Sequence, residues 1–277
     1  MNGCVVTLNK SDFALMVTRT QTPVEAVPEP AAAKASTKAA PAKAVKAVKA
    51  AAKAVRAPRR KPTAKTATRG AQERAHKTRE SILKAATRVF ARNGFTDGKI
   101  ETISRLSNTH DRMIYYYFGS KAQLFVEVLE TTYERMNEAE AGIPIDLNEP
   151  VRALTTVVHF VWQYYLDHPE FITLLNSENL LKGKHIKKSS RANELSSPAV
   201  QVLDQVLQAG VQKGLFRDDI SARDLYIQIA ALGYFYLSNR YTLSVFLGSD
   251  LRGEGELEHW KTYITDIVLR SVKKLEP

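Results

Sequence analysis

The stretch from Lys99 to Lys121, KIETISRLSNTHDRMIYYYFGSK, constrains the chain more than any other. Ile100, Ile103 and Leu106 recur three apart, which predicts a short helix with one buried face. Asp97-Gly98 can start it, because a carboxylate or a bare backbone satisfies free N–H groups there. Ser107-Asn108-Thr109 then breaks the helix, and Asn108 suits the left-handed backbone that a sharp turn needs. Asn108 or Thr109 can cap the next helix, His110 to Tyr116 or Tyr117, on which Ile114 and Phe118 share a face. Two helices joined by so short a turn form the helix-turn-helix unit, whose second helix enters the major groove of DNA. Arg112, Met113 and Tyr116 are expected at base edges, with Thr109, His110 and Asp111 at the turn and helix start. Arginine can bond guanine in two places, and aspartate can accept from cytosine N4. Asp111 faces a polyanion, so its other expected role is to hold Arg105 or Arg112 in place.

From about Lys77 to Leu124 the chain resembles the DNA-binding domain of TetR/AcrR-type transcriptional regulators. Gly94-Phe95, Ile100, Ile103, Ile114-Tyr115, Tyr117-Phe118, Ser120-Lys121 and Leu124 carry the resemblance. The family's usual Ala-Gly-Val-Ser turn is Ser107-Asn108-Thr109-His110 here, and its usual small residue in the recognition helix is Arg112. The base-reading surface is therefore this chain's own. The resemblance implies phosphate contacts from Lys99, Tyr115, Tyr117 and Lys121, which set register and carry no sequence information.

Charge divides the chain in the same sense. Residues 1–75 hold 15 Lys/Arg against 4 Asp/Glu, residues 76–121 hold 9 against 4, and residues 122–277 hold 16 against 21. A basic front and an acidic remainder point to a polyanionic partner at one end only. Ala31 to Arg69 has no aromatic and no acidic residue, so it cannot bury enough surface to offset its ordering entropy, and disorder is expected over 1–75. Lys43, Lys46, Lys49, Lys53, Arg56 and Arg59 recur at three or four and would form a basic stripe on a helix. Such a stripe can add affinity for DNA without sequence preference.

The remainder reads as helical throughout, with no strand alternation. A first helix, Thr78 to Asn93, lines up Ile82, Ala86, Val89 and Phe90, and Gly94 ends it. Ser120 caps a long helix to about Ala141. Pro150 opens another to His168, and Pro169 opens the next. Gly183 to Ser197 is polar and basic and reads as a loop or excursion. Further helices are expected from Ser197-Pro198 to Lys213, from Ala222 to Asn239 behind Ser221, as a short piece from Thr242 to Leu247, and from Glu256 to Lys274.

The fold class is therefore all-α. A three-helix helix-turn-helix DNA-binding domain (76–121) follows the basic tail (1–75) and precedes a larger helical ligand-binding and dimerisation domain (122–277). The resemblance implies pairing of two subunits through the last two helices, where Leu225, Ile229, Leu232, Tyr236, Trp260, Ile264 and Ile267 are candidates. It would set two recognition helices ~34 Å apart. An effector pocket is likewise implied, with His159, Trp162, Tyr165, His168 and Phe171 as candidate lining.

Catalysis is not expected. His159 and His168 are nine apart, which is not metal-ligand spacing, and no Gly-rich phosphate loop, nucleophile elbow or Cys–His pairing occurs. No metal and no cofactor is anticipated. The single cysteine, Cys4, allows no disulfide within one chain. No apolar run approaches the roughly 18 residues that span a bilayer, and Lys10 and Asp12 interrupt residues 1–17, so neither a membrane span nor a signal peptide is expected. The reading is a cytoplasmic, nucleoid-associated protein. Its expected function is a ligand-responsive repressor, a homodimer on a palindromic site in double-stranded DNA, answering a small-molecule effector. The other reading is an architectural DNA-binding protein dominated by its tail.

Overall fold

The computed structural model describes residues 64–191 and 197–274. The tail expectation, including the Lys43–Arg59 stripe, falls outside them up to residue 63. Nine α-helices are present among the described residues: α1 Ala64–Asp97, α2 Ile100–Ser107, α3 Asp111–Phe118, α4 Lys121–Ala141, α5 Pro150–Asp167, α6 Pro169–Leu180, α7 Pro198–Gln212, α8 Ala222–Leu247 and α9 Glu254–Val272.

Helix α1 begins well before the expected Thr78, so the boundary at residue 75 is corrected. Ala, Lys and Arg propagate a helix cheaply once its far end is anchored, and Lys77 bonds Glu73 one turn back at 2.9 Å. The anchored end buries Ile82, Ala86, Val89 and Phe90 as the spacing predicts. Gly94 kinks the helix at φ 69, and a last turn runs on to Asp97.

Helix α2 buries Ile100, Ile103 and Ser107, whereas Leu106 is 55% exposed. At about 100° per residue, Ser107 returns to the side of Ile100, while Leu106 lies roughly 120° away. Helix α3 buries Ile114 and Phe118. The helix starts differ from expectation: α2 is preceded by Lys99 and α3 by His110, neither with a side-chain cap. At α4 the expected cap forms, with Ser120 Oγ accepting from Gln123 N at 3.1 Å. Helix α4 buries Leu124, Phe125, Val128 and Leu129 in the first core, and Met136 in a second.

The second core is built by α5 to α9 around Trp162, Tyr165, Phe171, Leu203, Ile229 and Val268. Helix α8 is one continuous helix, not two pieces broken after Asn239. Asn239, Thr242 and Ser244 bond carbonyls three or four residues back, so these polar side chains serve the helix they were expected to stop. Gly233, in mid-helix, lets α8 close on α5: an added Cβ would meet the Tyr165 ring at 3.3 Å. The only extended pairing among the described residues is an isolated bridge between Phe216 and Lys273.

Candidate functional site

The turn between α2 and α3 is held by its own side chains. Asn108 adopts φ 53, ψ 44, the left-handed conformation expected of it. Ser104 Oγ donates to Thr109 O at 2.7 Å, and Ser107 Oγ bonds Ile103 O and the Thr109 hydroxyl, each at 2.8 Å. Ser81 of α1 donates to Ser107 O at 3.1 Å, tying the turn to the domain. The two serines read in sequence only as helix and breaker residues. Their spacing from Ile100 and Ile103 was the available signal. Thr109 is thereby a brace of the turn, half-buried rather than presented outward.

Around that frame α3 has two sides. Ile114 and Phe118 are buried against α1, α2 and α4, and Met113 and Tyr117 pack partly on the same core. His110, Arg112, Tyr115 and Tyr116 stand exposed, with Tyr116 at 76%. Lys99 is exposed at the start of α2. Asp111 is half-buried in the first turn of α3 and forms no ion pair with Arg105 or Arg112 among the described residues. Lys121 donates to Thr96 O at 3.0 Å and lies over the Phe95 ring, 4.9 Å from its centroid. Arg79 pairs with Glu127 and covers Phe118.

A junction that sequence reasoning missed joins this domain to the larger one. Leu174 of α6 belongs to the first core. Ser177 Oγ accepts from Phe95 N at 3.3 Å. Glu178, 6% exposed, accepts from His185 N at 2.6 Å, Ile186 N at 2.9 Å and His185 Nδ1 at 2.9 Å. The His185 ring lies 4.1 Å from the Phe95 centroid and 5.1 Å from that of Phe125. The basic run read as a loop is therefore docked at its start, with a single 3-10 turn at Ile186–Lys188. Only the His-Ile pair inside the lysines hinted at it.

The five expected pocket residues do not converge. Trp162 and Phe171 are core. His159 is exposed on α5, where partial burial and then Lys261 hold its pKa below the usual imidazole value. His168 sits at the α5–α6 corner on Tyr164, its Nδ1 3.3 Å from Glu170. Burial pushes the Tyr164 hydroxyl up to about 12. Tyr165 alone lines a cavity, of about 130 Å³, between α5, α6 and α8, and burial raises its pKa strongly. The expected subunit contacts are corrected in part. Leu225, Ile229, Tyr236 and Ile264 are at most 5% exposed and are consumed by their own subunit's core. Leu232, Trp260 and Ile267 remain half-buried.

A family model described as bacterial regulatory proteins, tetR family, matches residues 82–128. A second, described as tetracyclin repressor-like, C-terminal domain, matches residues 150–268. The chain belongs to the TetR family of transcriptional regulators. The HTH-type transcriptional repressor NicS of Pseudomonas putida is 50% identical over 212 residues, covering 76% of this chain and 99% of that protein. The repressor SCO4008 of Streptomyces coelicolor is 27% identical over 157 residues, 56% of this chain and 76% of that one. Two solved structures share the fold. SCO4942 from Streptomyces coelicolor superposes with a TM-score of 0.53 at 17% identity, covering 70% of this chain and 98% of that chain. A TetR-family chain from Mesorhizobium loti MAFF303099 does so with 0.52 at 16%, covering 73% and 99%. No helix among the described residues is long and apolar enough to cross a membrane.

Proposed function

We propose that this TetR-family regulator is a homodimeric, effector-released repressor that reads a palindromic operator through α3. The observation that carries the reading is the division of α3: Ile114 and Phe118 fix the helix, and Arg112 and Tyr116 are left exposed beside it. A helix locked on one face and polar on the other can enter a groove as a rigid body. Arg112 and Tyr116 would read base edges, with His110 and Asp111 near them. Lys99, Tyr115 and Lys121 would grip phosphates. Met113 and Tyr117 spend much of their surface on the core, which makes them supports more than readers. A second copy would pair through α8 and α9, where Phe235, Val245, Phe246 and Tyr263 are exposed beside Leu232, Trp260 and Ile267. Effector binding in the larger domain would shift the spacing of the two α3 helices, with coupling typically about 1–3 kcal/mol. The matches to repressors over most of the chain support this reading, and a catalytic role has no residue set to support it.

A salt series on the full chain and on a chain beginning at Ala64 tests it, using the DNA upstream of its own gene and random duplex. The shortened chain is expected to keep its preference for the upstream DNA. Arg112→Ala should relax that preference, and Lys99→Ala should weaken all sequences alike and reduce the salt slope by about one. Loss of all preference on removing the tail would favour the architectural reading instead.

A further inference from the structure

The 130 Å³ cavity between α5, α6 and α8 has an unequal lining. Tyr165, Ile172 and Leu237 make its body apolar, and no acidic residue lines it. Asn176 and Ser238 bond each other at 3.0 Å, and Tyr234 donates to Asn176 Oδ1, so these polar tips are fixed and largely satisfied. Arg240 differs from them. Its Nε is fully buried and has no acceptor, and its one side-chain hydrogen bond is a long 3.5 Å contact from Nη2 to Tyr241 Oη. The Tyr241 ring, 5.2 Å away, flanks the guanidinium without accepting from Nε. No ion pair to Arg240 forms among the described residues. A buried donor on a charged group without an acceptor is costly, and a carboxylate bound side-on by Nε and Nη is the geometry that relieves it. A cavity of about 150 Å³ with apolar walls holds benzene, so this one has room for a small apolar body behind one anionic group.

We infer that this cavity is the effector site and that it takes a small carboxylate, its anionic end on Arg240 and its apolar end against Tyr165, Ile172 and Leu237. The inference rests on the proposed regulator for its consequence, but the binding itself does not depend on DNA. Ser238 and Arg240 lie on α8, the helix proposed to pair two subunits, and Asn176 lies on α6, one residue from Ser177 at the junction with the DNA-binding domain. A ligand bridging α6 and α8 would thus touch the elements on both sides of the switch.

Calorimetric titration and thermal melting of the full chain with benzoate, pentanoate and neutral benzamide, against sodium chloride as a salt control, test it. At least one carboxylate is expected to bind and raise Tm, and benzamide to bind at least tenfold more weakly than benzoate. Arg240→Gln should weaken the carboxylate at least tenfold at unchanged fold. Thr173→Phe, which fills the mouth from an exposed position, should block binding without touching Arg240. The inference is overturned if neither carboxylate binds, if benzamide equals benzoate, or if both variants bind as the parent does. Selective DNA binding by the unliganded chain is read separately. Its survival with no carboxylate binding would sink this site and leave the regulator standing, and its loss alongside carboxylate binding would do the reverse.

Discussion

Asn108 shows how one side chain sets the angle between two helices. Its φ of 53 lies where most L residues are strained, and asparagine and glycine are the residues that visit it most readily. Asn108→Val is expected to cost about 1–2 kcal/mol, whereas Asn108→Gly should fold and bind DNA nearly as the parent does. Chemical denaturation of both checks this, and equal stability of the two would show that the turn is not conformationally demanding. Glu140 is a second residue with a measurable signature. It is 0% exposed, and burial raises its pKa above the ordinary 4.5 despite hydrogen bonds from Ser197 and Ala199 at the start of α7. Between 4.5 and its folded value, the unfolded chain releases this proton and the folded chain keeps it. Stability therefore falls as pH climbs through that window. Melting curves from pH 4 to 9 should show a smaller fall in Glu140→Gln. An identical slope in parent and variant would mean that Glu140 titrates normally.

At the scale of elements, α6 decides how the two cores communicate. It places Leu174 in the first core and Phe171 in the second, and its last turn carries the Glu178 carboxylate that gathers His185 and Ile186. Those donors are buried and depend on one acceptor. Glu178→Ala should destabilise the chain by about 3 kcal/mol, the order expected for several buried donors left unmade. Hydrogen exchange should rise first at the amides of His185 and Ile186 and in the last turn of α1. Exchange confined to α6 would mean that the His185 ring holds Phe95 and Phe125 by packing alone.

For the whole molecule, function requires two copies, and the exposed apolar strip on α8 and α9 is where the second would lie. Phe235 is 58% exposed and Phe246 79% exposed, more than side chains of that size gain from facing water. Phe235→Glu with Phe246→Glu is expected to sediment as a monomer and to lose roughly 100-fold in affinity for a two-half-site operator, as loss of bivalent binding predicts. Its affinity for an isolated half-site should be unchanged. A dimer that persisted through both substitutions would move the interface elsewhere.

The local elements were legible because they follow from near neighbours in the chain: Ile114 and Phe118 four apart, Asn108 at a left-handed turn, Ser120 at a cap, Pro150 and Pro169 at helix starts. What was misread turned on which surface lay opposite. Leu106 and Ser107 differ by one step of helix rotation, and only the packed neighbour decides which is inside. Leu225, Ile229, Tyr236 and Ile264 carry the same apolar signal whether they face their own core or a partner. His185 and Arg240 are ordinary polar residues in sequence. Burial against Phe95 and Phe125 gives the first a structural role, and placement at a small apolar cavity leaves the second without an acceptor. Periodicity is a property of one helix, whereas burial and pairing belong to surfaces contributed by residues far apart in the chain.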